Sequence, residues 1–245
     1  MLSAKPWRPL AVLQYCAAVL FCICAGGLLR SGLEQFGVRG FREPADLGSL
    51  VLGTFSFQGV ACFLIFVFFR YHRVNWKAGF GFSGPDLFRA IRLAVLVFIL
   101  ALPLVWLLQW TGVAILTWLG HPPNDQAAVQ LMESTRSCWS RGYLAFFAVG
   151  LAPVAEEFIF RGMLYPFIKQ LGWPRLAFVG VSFMFALIHF DAGTFLALFA
   201  LALILTWLYE ITDNLLASIT VHALFNGANL VMLALKHLYP SPDSR

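Results

Sequence analysis

Seven apolar runs dominate this chain, and their lengths restrict it to one kind of fold. They lie at roughly 10–29, 48–69, 90–119, 143–168, 175–190, 194–209 and 214–235. A helix needs about 20 mainly apolar residues to cross the hydrocarbon core of a bilayer. Inside that core the backbone finds no water, so a spanning segment must satisfy its own hydrogen bonds, which runs of this length do as helices. The sequence therefore predicts an all-α, polytopic membrane helix bundle with about seven transmembrane helices, the run lengths admitting six to eight. Composition agrees, since 60% of the 245 residues are hydrophobic and only 12% are charged, outside the range of soluble domains. One integral-membrane domain over residues 1–245 is the natural size. Pro103 sits within the long third run and predicts a kink or tilt there.

The charges are few and their placement is informative. Arg70, Arg73, Lys77, Arg89 and Arg92 lie between the second and third runs, and the positive-inside rule puts that connection in the cytoplasm with Lys5 and Arg8. That rule also accounts for the net charge of +5; no basic run points to nucleic acid. The first run is longer than the 7–15 residues typical of a secretory signal, and no small-residue cleavage site follows it, so it reads as an uncleaved first helix. Cys16, Cys22, Cys24, Cys62 and Cys138 show neither metal nor disulfide spacing. The polar stretch from His121 to Arg141 reads as an ordinary connection or a cover over a site. No repeat of the kind found in many transporters is present.

Three short stretches place ionisable residues inside the apolar runs. They are Glu156-Glu157-Phe158-Ile159-Phe160-Arg161, Phe185-Ala186-Leu187-Ile188-His189 and His222-Ala223-Leu224-Phe225-Asn226. A charged group at the middle of a membrane helix costs about 2.5–3.5 kcal/mol on insertion scales, so such residues face one another or water and mark function. Glu157 and Arg161 are one helical turn apart with the acid N-terminal, the orientation that pairs best. Glu156 points about 100° away from Glu157 and has no local cation. The spacing thus predicts one carboxylate locked to arginine and one free carboxylate facing another helix, where desolvation makes it a better general base. Pro153 loosens the helix before the glutamates, and Gly162 permits close approach. His222 and Asn226 share one helix face and offer hydrogen-bond donors suited to an oxyanion. Phe185 and His189 share another.

Two other chemistries use the same residue types. Glu with two His can hold zinc with water in the open position, although HExxH is absent. Intramembrane Glu, Arg and His also form proton or ion relays in transporters.

The EExxxR, FxxxH and HxxxN elements, in that order on successive helices, resemble the CAAX-protease and bacteriocin-processing (CPBP, or Abi) family of intramembrane endopeptidases. The Phe160-Arg161-Gly162 flank and the Tyr209-x-x-Thr212 before the last run are also similar. The resemblance covers a core of residues 143–235. It implies that Glu156 and His189 activate water, that His222 and Asn226 hold the oxyanion, and that Glu157 and Arg161 support them. It implies no cofactor and no metal, and a membrane-associated protein or peptide as substrate. Eukaryotic members act on prenylated CAAX proteins and prokaryotic members on other membrane substrates. The signal-anchor-like start and compact size point to a prokaryotic plasma membrane. A non-proteolytic immunity or scaffold role is the alternative within the family.

Overall fold

The computed structural model describes residues 2–42, 46–122 and 138–238. It is built of helices: α1 (Pro9–Gln35), α2 (Leu47–Tyr71), α3 (Trp76–Phe80), α4 (Gly84–Trp118), α5 (Trp139–Gln170), α6 (Pro174–Leu187), α7 (Phe195–Thr212) and α8 (Leu215–Leu238). Six of them, α1, α2, α4, α5, α7 and α8, are long and apolar enough to cross a membrane. The protein is a polytopic helical bundle. The fifth run differs from a full span: α6 has 14 residues, about 21 Å of helix against a core of about 30 Å. It stops because His189 and Asp191 follow, and Phe190 takes a left-handed backbone at φ 50°. An aromatic residue rarely adopts that conformation, which costs on the order of 1–3 kcal/mol. Most of the polar stretch from His121 to Arg141 lies outside the described residues.

α7 packs between α4 and α6, while α8 runs along α4 and crosses α5. α4 extends 35 residues through Pro103 without interruption. α5 is the irregular helix. It turns π-helical at Phe147–Leu151 and again at Phe158–Leu164. Pro153 and Pro166 each follow one of these stretches. Each proline lacks the N–H that would bond four residues back, to the carbonyls of Val149 and Gly162, and both carbonyls lie inside the π stretches. Widening the helix there relieves the clash of ring and carbonyl. The two glutamates sit in the short α-helical piece between them.

One end of the bundle is sealed by chain from three places. Lys5 is 4% exposed; its Nζ meets Asp213 Oδ1 at 2.6 Å after the end of α7. The Lys5 backbone exchanges hydrogen bonds with the Gln170 side chain at 3.4 and 3.2 Å. Glu210 accepts from Lys169, Tyr165 and the Leu2 N–H. From the basic loop, α3 pushes the buried Phe80 ring onto Phe158, 5.0 Å between centroids. A Cβ on Gly162 would lie 2.8 Å from that ring, so the close approach anticipated for Gly162 is with Phe80. Gly81 closes α3 in the left-handed conformation, φ 76°, where any Cβ would strike the Asp213 carbonyl.

Burial pushes the Lys5 ammonium below its ordinary value, against the hydrogen bond and charge of Asp213. Burial alone would raise the Asp213 carboxyl, but Lys5 and Ser3 outweigh it and hold it below the usual carboxylate range. The stabilisation from Asp213 is therefore present above its unfolded value, near 3.9, and fades as pH falls through its lower folded value. We expect Asp213→Asn to cost about 1–3 kcal/mol near neutral pH, at the low end because Asp213 is partly exposed. Thermal melts at pH 7 and pH 3 check this; an equal deficit at both would rule out the ion pair as its source.

Lys5, Lys169 and the Gly81 loop thus occupy one face, the one the positive-inside rule assigns to the cytoplasm. Lys77 is exposed on that face. In a cysteine-free background, Lys77→Cys is expected to react with an impermeant thiol reagent only after the membrane is opened. Labelling in intact cells would reverse the orientation.

Candidate active site

The glutamates, both histidines and the arginine converge where α5, α6, α7 and α8 meet. Arg161 and Glu157 have no exposed side-chain surface, and Arg161 Nη1 donates to Glu157 Oε1 at 2.8 Å. The turn-spaced pair anticipated from the sequence is present even though α5 is π-helical there. Arg161 also donates from Nη2 to the Ala202 carbonyl at 3.0 Å and from Nε to Thr206 Oγ1 at 3.3 Å. Its guanidinium lies 4.5 Å from the Phe185 ring centroid. One side chain of α5 thereby joins α7 and α6. Five donors in a planar fork suit arginine to this position, where lysine would reach fewer partners.

Glu157 Oε1 is shared. His222 Nδ1 on α8 lies 2.9 Å from it, and this oxygen already accepts from Arg161, so Nδ1 donates. In the neutral imidazole this fixes the proton on Nδ1 and leaves the Nε2 lone pair free. That Nε2 lies 3.8 Å from Glu156 Oε2. His189 reaches the same oxygen from the turn after α6, with Nε2 at 4.0 Å. His189 Nδ1 is 2.7 Å from the Phe185 carbonyl, which can only accept, so its proton is fixed in the same sense. The expectation of a shared helix face for Phe185 and His189 is met differently. α6 has already ended, and the imidazole folds back to cap it, 4.9 Å from the Phe185 ring. Phe185 also stands 5.6 Å from the His222 ring, so one ring packs against the arginine and both imidazoles.

Glu156 Oε2 is buried and hydrogen-bonds to no described group. At 3.8 and 4.0 Å it is too far from either imidazole for a direct bond. Atoms at these separations can each hydrogen-bond a single bridging oxygen. Asn226 lies one turn beyond His222, and its Nδ2 donates to the Ala148 carbonyl in the first π stretch at 2.8 Å. One amide hydrogen remains. Asn226 is therefore anchored to α5 and not side by side with His222 on a common partner.

Exposure divides the centre. Glu157 and Arg161 are sealed at 0%, whereas the side chains of Glu156 and His189 are 12% and 23% exposed. His222 is about 10 Å along α8 from Leu215, and Glu156 and His222 both lie inside helices long and apolar enough to span, so the centre falls within the spanning part of the bundle. Sequence reasoning missed Thr206 and Ser182, whose hydroxyls meet at 3.3 Å beside Arg161. Each is a lone hydroxyl in an apolar run, a weak signal because such groups commonly bond their own helix.

An integral, multi-pass membrane protein with a carboxylate set between two imidazoles is the class these observations define. Residues 139–228, which contain every one of the candidate positions, match the family model described as type II CAAX prenyl endopeptidase, Rce1-like. Over these residues the chain is similar to CAAX-protease-type peptidases, in keeping with the CPBP family. No curated protein and no solved structure matches the chain.

Proposed function

We propose that the protein is an intramembrane endopeptidase that cleaves a membrane-associated protein or peptide, with Glu156 as general base. The observation that carries this reading is the position of Glu156 Oε2, 3.8 and 4.0 Å from two imidazole Nε2 atoms inside a bundle. A water held there gives one proton to Glu156 and directs its other O–H to the His189 lone pair. The oxygen attacks the scissile carbonyl, forming the new C–O bond. The tetrahedral oxyanion takes a hydrogen bond from the spare Asn226 N–H. His222 joins it from Nε2 as an imidazolium that carries its second proton before the attack, because Nδ1 already serves Glu157, and the Glu157 carboxylate supplies the countercharge. Collapse breaks the C–N bond, and the proton on Glu156 passes to the leaving amine.

The donor spacing also bears on zinc. A tetrahedral zinc with bonds of about 2.0–2.1 Å draws its N and O donors to about 3.3 Å from one another, closer than the 3.8 and 4.0 Å seen. We expect the purified protein to retain full peptidase activity after chelation and dialysis. Stoichiometric zinc, with activity lost on chelation and restored by the metal, would replace this mechanism.

The lipid bilayer is the working environment, in this reading the plasma membrane of a prokaryotic cell. Membrane peptides compared between cells carrying the intact protein and the Glu156→Gln form test the function. A precursor that accumulates only with Glu156→Gln identifies the substrate. Identical profiles, under conditions where the gene is needed, would point to an immunity or scaffolding role.

A further inference from the structure

Exposure rises along α8 away from the sealed end. His222 is buried, Asn226 is half-buried, and Asn229, one further turn along the same face, is exposed. Asn229 lies six positions before the end of the apolar stretch Leu215–Leu235. A bare carboxamide facing hydrocarbon costs several kcal/mol, so this one faces water or a polar ligand. Its Oδ1 accepts from Trp106 Nε1 of α4 at 3.0 Å. Nδ2 forms no hydrogen bond with the described residues. At the opposite end Lys5, Gln170 and Phe80 close the bundle. On this face of α8, Asn226 meets α5 and Asn229 meets α4, two helices that do not pack on each other, so the approach to Glu156 runs past both carboxamides over α8, between α4 and α5.

Resting on the endopeptidase reading, we infer that Asn229 and Trp106 form a substrate subsite that binds the backbone of an extended apolar peptide. An unfolded peptide inside a bilayer brings N–H and C=O groups that must be paired, and a carboxamide offers a donor and an acceptor to one peptide unit. The indole gives that peptide an apolar wall while its N–H orients Asn229. From His222 to Asn229 is seven residues, about 10 Å along the helix. That equals about three residues of extended chain, so Asn229 meets the third residue from the scissile bond. Recognition through backbone makes this subsite tolerant of side chains.

The test uses full-length protein in nanodiscs. In a cysteine-free background, Asn229→Cys is expected to react with an impermeant maleimide at least tenfold faster than Leu107→Cys, which is 57% exposed and projects about 100° away from Trp106 on α4. In the Glu156→Gln protein, a fluorescent pool of random apolar decapeptides is expected to bind at least fivefold more weakly once Asn229→Leu is added. A backbone N-methylated pool is expected not to compete. Equal labelling of the two cysteines, unchanged binding with Asn229→Leu, or equal competition by the methylated pool would each overturn the subsite. Hydrolysis separates the two readings. Backbone-dependent binding without cleavage by the intact protein counts against the peptidase alone, and cleavage without an Asn229 effect counts against the subsite alone.

Discussion

Glu156→Gln is expected to leave a folded protein whose peptidase rate is about 10²–10⁴-fold lower, the usual worth of a positioned general base. The side chains are isosteric, and Glu156 has no hydrogen bond to lose at Oε2 among the described residues. The imidazoles at 3.8 and 4.0 Å are beyond hydrogen-bond range, and His222 keeps Glu157 as its own partner. Removing the carboxylate charge therefore breaks no direct hydrogen bond at Oε2 among the described residues. What disappears is the acceptor for the proton of water, and a carboxamide cannot replace it. His189→Gln is expected to fall less far, because that imidazole orients the water without taking its proton. The checks are turnover of the accumulated precursor and the thermal midpoint in the same detergent. A Glu156→Gln protein with undiminished turnover would remove Glu156 from the mechanism and leave His222, backed by Glu157, as the alternative base.

How far such a site can be read without coordinates depends on whether it is local to a helix. The Glu157–Arg161 pair was legible because one turn of helix brings the two together whatever surrounds them. The apolar runs were legible for a similar reason, length and hydropathy being enough to identify a spanning helix. The contact of His222 with Glu157 was not legible. It joins residues 65 positions apart, and only the packing of α8 across α5 decides which carboxylate the imidazole meets. The end of α6 was misplaced because Leu187, Ile188 and Phe190 are as apolar as the helix before them. Nothing in hydropathy reveals that Phe190 turns left-handed. The π stretches had a partial signal in Pro153 and Pro166, but a proline predicts a disturbed helix and not the form the disturbance takes. The sealing segment around Lys5 had none, since a lysine before a first membrane helix is ordinarily a solvated, positive-inside charge.

Glu157→Gln is expected to fail in the other way, by destabilising the fold about 3–5 kcal/mol. The substitution leaves the Arg161 guanidinium at 0% exposure with no countercharge on Glu157. The Ala202 carbonyl, Thr206 hydroxyl and Phe185 ring still surround Arg161, but none is ionised. The loss is of charge in a low-dielectric place and not of shape. Adjacent in sequence, the two glutamates thus separate stability from chemistry. A double mutant sharpens the claim. Adding Arg161→Met to Glu157→Gln removes the orphaned charge, and at least half of the lost stability is expected to return, because deleting both partners of a buried pair is far milder than deleting one. Activity is not expected to return with it, since His222 still lacks the carboxylate that fixes its tautomer and balances its imidazolium. Denaturant titration of the single and double mutants gives the coupling energy, and turnover of the same proteins gives the second half of the test. Equal destabilisation by Glu156→Gln and Glu157→Gln, or a double mutant no more stable than the single, would mean that the arginine is held by the bundle at large and not by Glu157.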